Sequence, residues 1–309
     1  MNLGSNGLPV LGMTALYFHI FFYSGYPGGG GKAKTMSTGT PRPRGARRSP
    51  AHKAFAAPAH KAQAVPDSFG VVPPQLSYWD NSTYGDCVSA EEAAAKAQFS
   101  LMNGGTTELF ILQSEVVNWA SYNGFLNGAD LTSVMEAMAK SGMTVGGQTY
   151  RDGPYESVDW TNDATLSSAI YQGPVKIGVA ADQLENVVSA TNGWIATGFT
   201  SDQNTDHCVN LCGFGSLQAL CGLLSVAVPP GTDPATRCYL LFTWSTIGII
   251  DRASMLAITS EAWLRTPTTV LPSPTLSNLQ APLTPLGPCN PETIGHLRMI
   301  LSGILGLLK

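Results

Sequence analysis

Charge is what this 309-residue chain has least of: 12% of its residues are Asp, Glu, Lys or Arg, about half the usual quarter. A coiled coil or long helical repeat is thereby excluded, and the 33 glycines and 21 prolines argue the same way. Cysteine is sparse as well, six in all, so a disulfide-dense miniprotein is excluded. No internal repeat of fixed period is present. No charge occurs in residues 1–31, and no acid precedes Asp67. The basic residues Lys32, Lys34, Arg42, Arg44, Arg47, Arg48, Lys53 and Lys61 all lie before it, leaving nine basic against 21 acidic residues beyond. That balance of −12 makes the folded part acidic and excludes nucleic acid as its partner.

What is present divides the chain into three. Residues 1–64 read as a non-globular extension followed by a basic Pro/Ala-rich tail. Within them, the apolar run 8–26 is interrupted by Pro9, Gly12, His19 and Ser24 and lacks a preceding basic residue, so membrane contact there is an alternative that the pattern disfavours. Translation is expected to begin at Met36, and residues 36–65 are expected to be disordered and not to act as an inhibitory propeptide. Residues 65–270 have globular composition. Residues 271–309 read as a Pro-rich linker and a short apolar helix at 294–308, too short to span a bilayer.

Inside the globular region, Ala-rich propensity predicts a helix over 87–102, with further helices over 107–120 and 131–141. After Gly173 the runs PVKIGVAA, HCVNLCGFG, LLSVAV and CYLLFTW predict strands. Helices first and strands later indicate an α+β domain with segregated halves. Cys87 falls at a helix N-terminus, where the dipole and free N–H groups favour a thiolate. His207 is the single histidine of the folded region and opens a strand, a suitable place for a general base. Cys208, Cys212, Cys221, Cys238 and Cys289 lack paired zinc-type spacing and read as core residues, so no metal and no cofactor is expected.

The segments Val65-Pro66-Asp67-Ser68, Asn81 to Cys87, Leu112 to Val117, Asn127-Gly128, Gly173 to Val179, Asp206-His207 with Gly213-Phe214-Gly215, and Tyr239 to Trp244 together resemble, in order, the papain-like cysteine peptidases. The resemblance implies a helical half and an antiparallel β-barrel-like half with the site in the cleft between them. It implies Cys87 as nucleophile, His207 as base, and the Asn81 amide with the Cys87 N–H as oxyanion donors. Asn127, Gly128 and Ala129 would line the substrate cleft, and Trp244 would shield the histidine. The implied reaction is thiol-dependent hydrolysis of peptide or related amide bonds in a peptide or protein substrate.

Four departures from the family pattern bear on activity. Asn81 stands where the family has Gln, and Val88 follows the nucleophile in place of Trp. Phe242 falls where an Asn orients the histidine, so Thr243 is the candidate if the strand is shifted by one residue. The 120-residue separation of Cys87 and His207 is below the roughly 130–150 residues of papain-type enzymes. Divergent bacterial and phage-encoded relatives are resembled more than plant or lysosomal enzymes. A cytoplasmic or virion-associated location is expected, with secretion as the alternative, since the family's framing disulfides are absent. The competing function is a catalytically inert papain-like domain used for binding or structure, for example in a phage particle. A transpeptidase or amidase acting on cell-wall peptides is a third.

Overall fold

The structure, a computed structural model, describes residues 42–102 and 105–266. The apolar run 8–26, Met36, and the linker and helix expected over 271–309 lie outside the described residues. The chain first forms β1 (Ala46–Arg47), α1 (Ala51–Ala56) and β2 (Phe69–Gly70), then α2 (Cys87–Leu101), α3 (Gln113–Tyr122), β3 (Ala129–Asp130) and α4 (Leu131–Lys140). A small hairpin, β4 (Met143–Val145) and β5 (Gln148–Tyr150), turns through Gly146 and Gly147, both at positive φ. Then come β6 (Tyr155–Ser157), α5 (Asp163–Gln172), β7 (Val175–Val179), α6 (Asp182–Glu185), β8 (Ile195–Ala196), β9 (His207–Ser216), α7 (Leu217–Leu223), β10 (Arg237–Thr243), β11 (Thr246–Asp251), α8 (Arg252–Ile258) and β12 (Thr259–Arg265).

The main sheet has the order β6-β12-β7-β9-β10-β11-β8, with β2 also paired to β9. Its pairings are antiparallel except β11 with β8. Alternation along the strands splits the apolar side chains between two cores. Cys208, Cys212, Cys238, Leu240 and Phe242 join α2, α3 and α4 in one. Val209, Leu211, Tyr239 and Leu241 join α5 and α8 in the other. The helical and sheet halves are therefore segregated as the α+β reading requires.

Two local expectations are corrected. The second helix starts at Gln113 rather than 107, because Leu109 and Ile111 are buried in an extended approach to it. LLSVAV is not a strand: Ser216 caps α7 by accepting from the Ala219 N–H at 3.2 Å, and α7 runs into that segment before Ser225 turns at φ 57°.

A third correction concerns the basic tail. The described part of residues 36–65 carries β1 and α1 and packs on the domain. Its composition offers little apolar surface, but its order has other sources. Its backbone pairs with β3, the His60 N–H donates to the Ser157 carbonyl at 2.8 Å, and Arg44 and Arg47 find partners on the domain. The ordered region thus begins well before residue 65.

The crossing of α2 with the sheet holds a buried ionic network. Alanines at 90, 93, 94 and 97 let the helix approach closely, and Glu91, Glu92 and Lys96 are buried with them. Lys176 of β7 pairs with Glu91 at 2.8 Å and Glu92 at 2.6 Å, and donates to the Val88 carbonyl at 3.0 Å. Arg265 of β12 grips Glu91 with two 2.7 Å bonds and lies 2.9 Å from Glu92, while Lys96 pairs with Asp152. Burial alone would raise the Glu92 pKa; Arg265, Lys176 and Lys96 outweigh it and bring it from 4.5 to about 2. A folded pKa below the unfolded one stabilises fully above pH 4.5 and loses that contribution as pH falls toward 2. Urea midpoints measured across that window should fall with pH. Glu92→Gln should flatten the fall, and an unchanged slope in the variant would refute the assignment.

Candidate active site

Cys87 opens α2 and His207 opens β9, two elements packed against each other. The Cys87 thiol is buried, next to the backbone of Cys208 and of Gly45 and Ala46 in the N-terminal segment. Burial pushes its pKa up from 9 to about 11, and the backbone groups of Gly45, Cys208 and Ala46 pull it down by less. The neighbouring Asp86 carboxyl, itself raised to about 7 by burial, adds a further upward push when ionised. The helix N-terminus alone would favour thiolate, but burial wins.

The His207 Nε2 lies 2.8 Å from the Thr243 Oγ1. Thr243 thus stands against the ring, while Phe242 points into the other core and packs on Trp79 with ring centroids 5.8 Å apart. The His207 Nδ1 is buried and has no hydrogen-bond partner among the described residues. Burial lowers the imidazole pKa from 6.5 to about 3, with the Arg44 and Arg42 charges adding to the shift. As folded, Cys87 is therefore a neutral thiol and His207 a neutral imidazole.

Trp244 covers the histidine. It and Ser245 form the two-residue turn between β10 and β11, both non-glycine residues at positive φ, 43° and 65°. Left-handed conformations of this kind cost on the order of 1 kcal/mol or more each. The turn lays the indole flat on the His207 ring, 4.3 Å between centroids and 19° from parallel. Arg42 sits on the indole at 4.7 Å.

Of the remaining candidate residues, Gly128 and Ala129 meet the Gly45 backbone beside Cys87, and Asn81 and Asn127 are turned aside. The buried Asn81 amide donates to the Tyr84 carbonyl at 3.0 Å and lies beside Asp86, so it is committed to its own loop. The loop is sharply bent, with Trp79 and Asp80 both at positive φ. Gly128 and Ala129 are buried at one wall of the cleft, whereas Asn127 is exposed on the turn before them.

Sequence reasoning missed the occupant of that cleft. The Ala129 N–H donates to the Gly45 carbonyl at 2.9 Å, and the Ala46 N–H donates to the Asp206 carbonyl at 3.1 Å. The segment therefore bridges both walls, directly over Cys87, in the manner of an extended peptide. Gly45 is required for the fit: a Cβ there would lie 1.7 Å from the Gly85 carbonyl oxygen and 2.9 Å from the Gly128 Cα. Gly128, at φ 105°, answers the same constraint from the other side, since its Cβ would meet the Gly45 oxygen at 2.5 Å. The isolated glycine amid arginines was the available signal. Among the described residues no group of three or more His, Cys, Asp or Glu is placed to hold a metal, and no helix is long and apolar enough to cross a membrane.

No family model and no curated protein matches the sequence. Solved structures do. One from a study of the mite allergens Blo t 1 and Der p 1 aligns with a TM-score of 0.52 at 15% identity, covering 70% of this chain and 77% of that one. Digestive procathepsin L2 proteinase from Tenebrio molitor larval midgut gives 0.51 at 15%, covering 70% and 76%. Xylellain, a cysteine protease from Xylella fastidiosa, gives 0.52 at 13%, covering 74% and 98%. Likenesses drawn from animals and a bacterium alike do not single out a bacterial or phage source. At these identities what is shared is the architecture, and the chain is a divergent protein of papain-like fold.

Proposed function

We propose that this protein is a thiol-dependent hydrolase of peptide or related amide bonds, latent while residues 42–49 lie in the cleft. The observation that carries the reading is the placement of Cys87 at the N-terminus of α2, which packs on the strand that His207 opens, with the His207 Nε2 tied to Thr243 and its Nδ1 unpartnered among the described residues. In the opened cleft the Nδ1 takes the thiol proton, and the sulfur attacks the substrate carbonyl carbon. The Cys87 N–H at the helix terminus faces the developing oxyanion. His207 returns the proton to the leaving amine, and water then hydrolyses the thioester with His207 again as base. For this cycle Nε2 must carry a proton that the Thr243 hydroxyl accepts. A hydroxyl can donate as well as accept, so Thr243 fixes the tautomer less firmly than an amide carbonyl would.

The test is labelling by an epoxide thiol trap, followed by peptide mapping, in a full-length chain whose cleft has been opened by Gly45→Val. Modification confined to Cys87 is expected, with hydrolysis of a peptide substrate in parallel. Labelling spread over the cysteines, or none at Cys87, would refute the reading. In that background Thr243→Val should lower the alkylation rate of Cys87 roughly tenfold near neutral pH with little change in unfolding midpoint, because only the ring's tautomer and position are disturbed. An unchanged rate would shift the positioning role to Trp244.

A second reading, an inert binding module, is favoured by the Asn81 amide being turned to Tyr84 and Asp86. It predicts that the opened chain binds peptides without cleaving them.

A further inference from the structure

Arg44 is the most heavily contacted side chain of the segment in the cleft. Its guanidinium pairs with Glu185 at 2.7 Å, with Asp206 at 2.6 Å, and with Asp182. Two of these carboxylates also accept backbone bonds, Asp206 from the domain and Glu185 from the segment itself. The Asp206 Oδ1 accepts from the Ala181 N–H at 3.0 Å, and the Glu185 Oε1 accepts from the Arg42 N–H at 3.1 Å. Asp182 is three-quarters exposed and contributes least. Arg44 itself keeps only 17% of its side-chain exposure.

The site sits inside the catalytic cleft. Asp206 precedes His207 in the chain, and its carbonyl receives the Ala46 N–H two residues along from Arg44. Three carboxylates within reach of one guanidinium repel one another once it leaves, so the empty site demands a cation. A planar fork with several donors satisfies three acceptors at once better than an ammonium does. The other contacts of the segment lie at other positions: Arg42 is on Trp244, Arg47 donates to the Gly128 carbonyl and the Ser49 N–H to Glu261, while Gly45 and Ala46 make main-chain bonds of the kind any extended peptide makes. Side-chain selection at this position therefore falls to the acidic trio.

We infer that Asp182, Glu185 and Asp206 form a specificity subsite for an arginine side chain of the bound peptide, making arginine-containing peptides the ligand and substrate class of this cleft. The inference rests on the hydrolase reading for the word substrate, but its test is a binding measurement that needs no turnover.

The protein is the full chain carrying Arg44→Ala, Gly45→Val and Cys87→Ser, which empties the cleft and prevents cleavage. The probes are fluorescein-labelled peptides of the sequence of residues 40–49, TPRPRGARRS, with citrulline replacing either the arginine at position 44 or the exposed one at 48. Both replacements remove one charge, but only the first faces the carboxylates. Fluorescence anisotropy should show the position-44 citrulline peptide binding at least tenfold more weakly than its parent, and the position-48 peptide binding about equally. Changing Asp182→Asn, Glu185→Gln and Asp206→Asn together should abolish the difference. Equal loss from the two citrullines would mean general charge attraction and overturn the subsite. No measurable binding of the parent peptide would overturn it too. Failure of Cys87 labelling in the chain that retains the cysteine would instead defeat the hydrolase reading and leave the binding result standing.

Discussion

Gly45→Val raises the alkylation rate of Cys87 near pH 7.5 by about 300-fold. The magnitude follows from the thiolate fraction, if the pKa moves from about 11 in the covered site toward the free-thiol value near 8.5. The variant acts through sterics alone. A Cβ at residue 45 meets the Gly85 carbonyl oxygen at 1.7 Å, and neither backbone has a side chain to move aside, so the segment leaves the cleft. Its departure exposes the thiol to water and takes Arg42 and Arg44 away from His207, whose pKa then rises from about 3. Both shifts favour the same ionic state, a thiolate beside an imidazolium. Gly222→Ala, whose Cβ would meet nothing within 4 Å, is the silent control. The rate against pH then separates the two functional readings. An activated pair gives a reactive plateau below the free-thiol titration, whereas an inert domain gives one rise near 8.5. A rate in the variant equal to that of the parent chain would mean that the segment does not guard the cysteine.

The positions of Cys87 and His207 were legible because each stands at the start of a regular element whose signal is local: Ala-rich propensity for α2, an apolar run for β9. Thr243 was legible because Phe242 cannot bond a ring nitrogen, which leaves its neighbour as the candidate if the strand is shifted by one residue. The cleft's occupant was not legible. Order in residues 42–49 comes from main-chain bonds to Ala129 and Asp206 and from carboxylates some 140 to 160 positions away in sequence. A composition argument weighs only the apolar surface a segment can bury. The same limitation hides the role of Glu91 and Glu92, acids near the start of α2 that composition alone would leave in solvent. What decides their burial is Lys176 and Arg265, two cations on strands that reach α2 only in the folded chain.

Arg265→Met should cost about 3–5 kcal/mol of stability, the penalty for leaving buried carboxylates short of a cation. Arg265 is fully buried, bonded to the Pro174 carbonyl at 3.2 Å, held by two bonds to Glu91 and paired with Glu92. Methionine fills much of the same space, so the loss reflects charge more than a cavity. For a domain of this size the unfolding midpoint should drop by roughly 10 °C. Neutralising the partner tests the cause. Glu91→Gln in the Arg265→Met background removes the excess negative charge and should recover a large part of the loss, which a packing defect would not permit. Lys176→Met should differ in kind, because Lys176 also holds the Val88 carbonyl one residue past Cys87. With the cleft opened by Gly45→Val, it should slow Cys87 alkylation at temperatures well below unfolding, while the Arg265→Met, Glu91→Gln pair leaves that rate near its starting value. Equal effects of the two on Cys87 would show that the network supports the fold without setting the geometry of the α2 terminus.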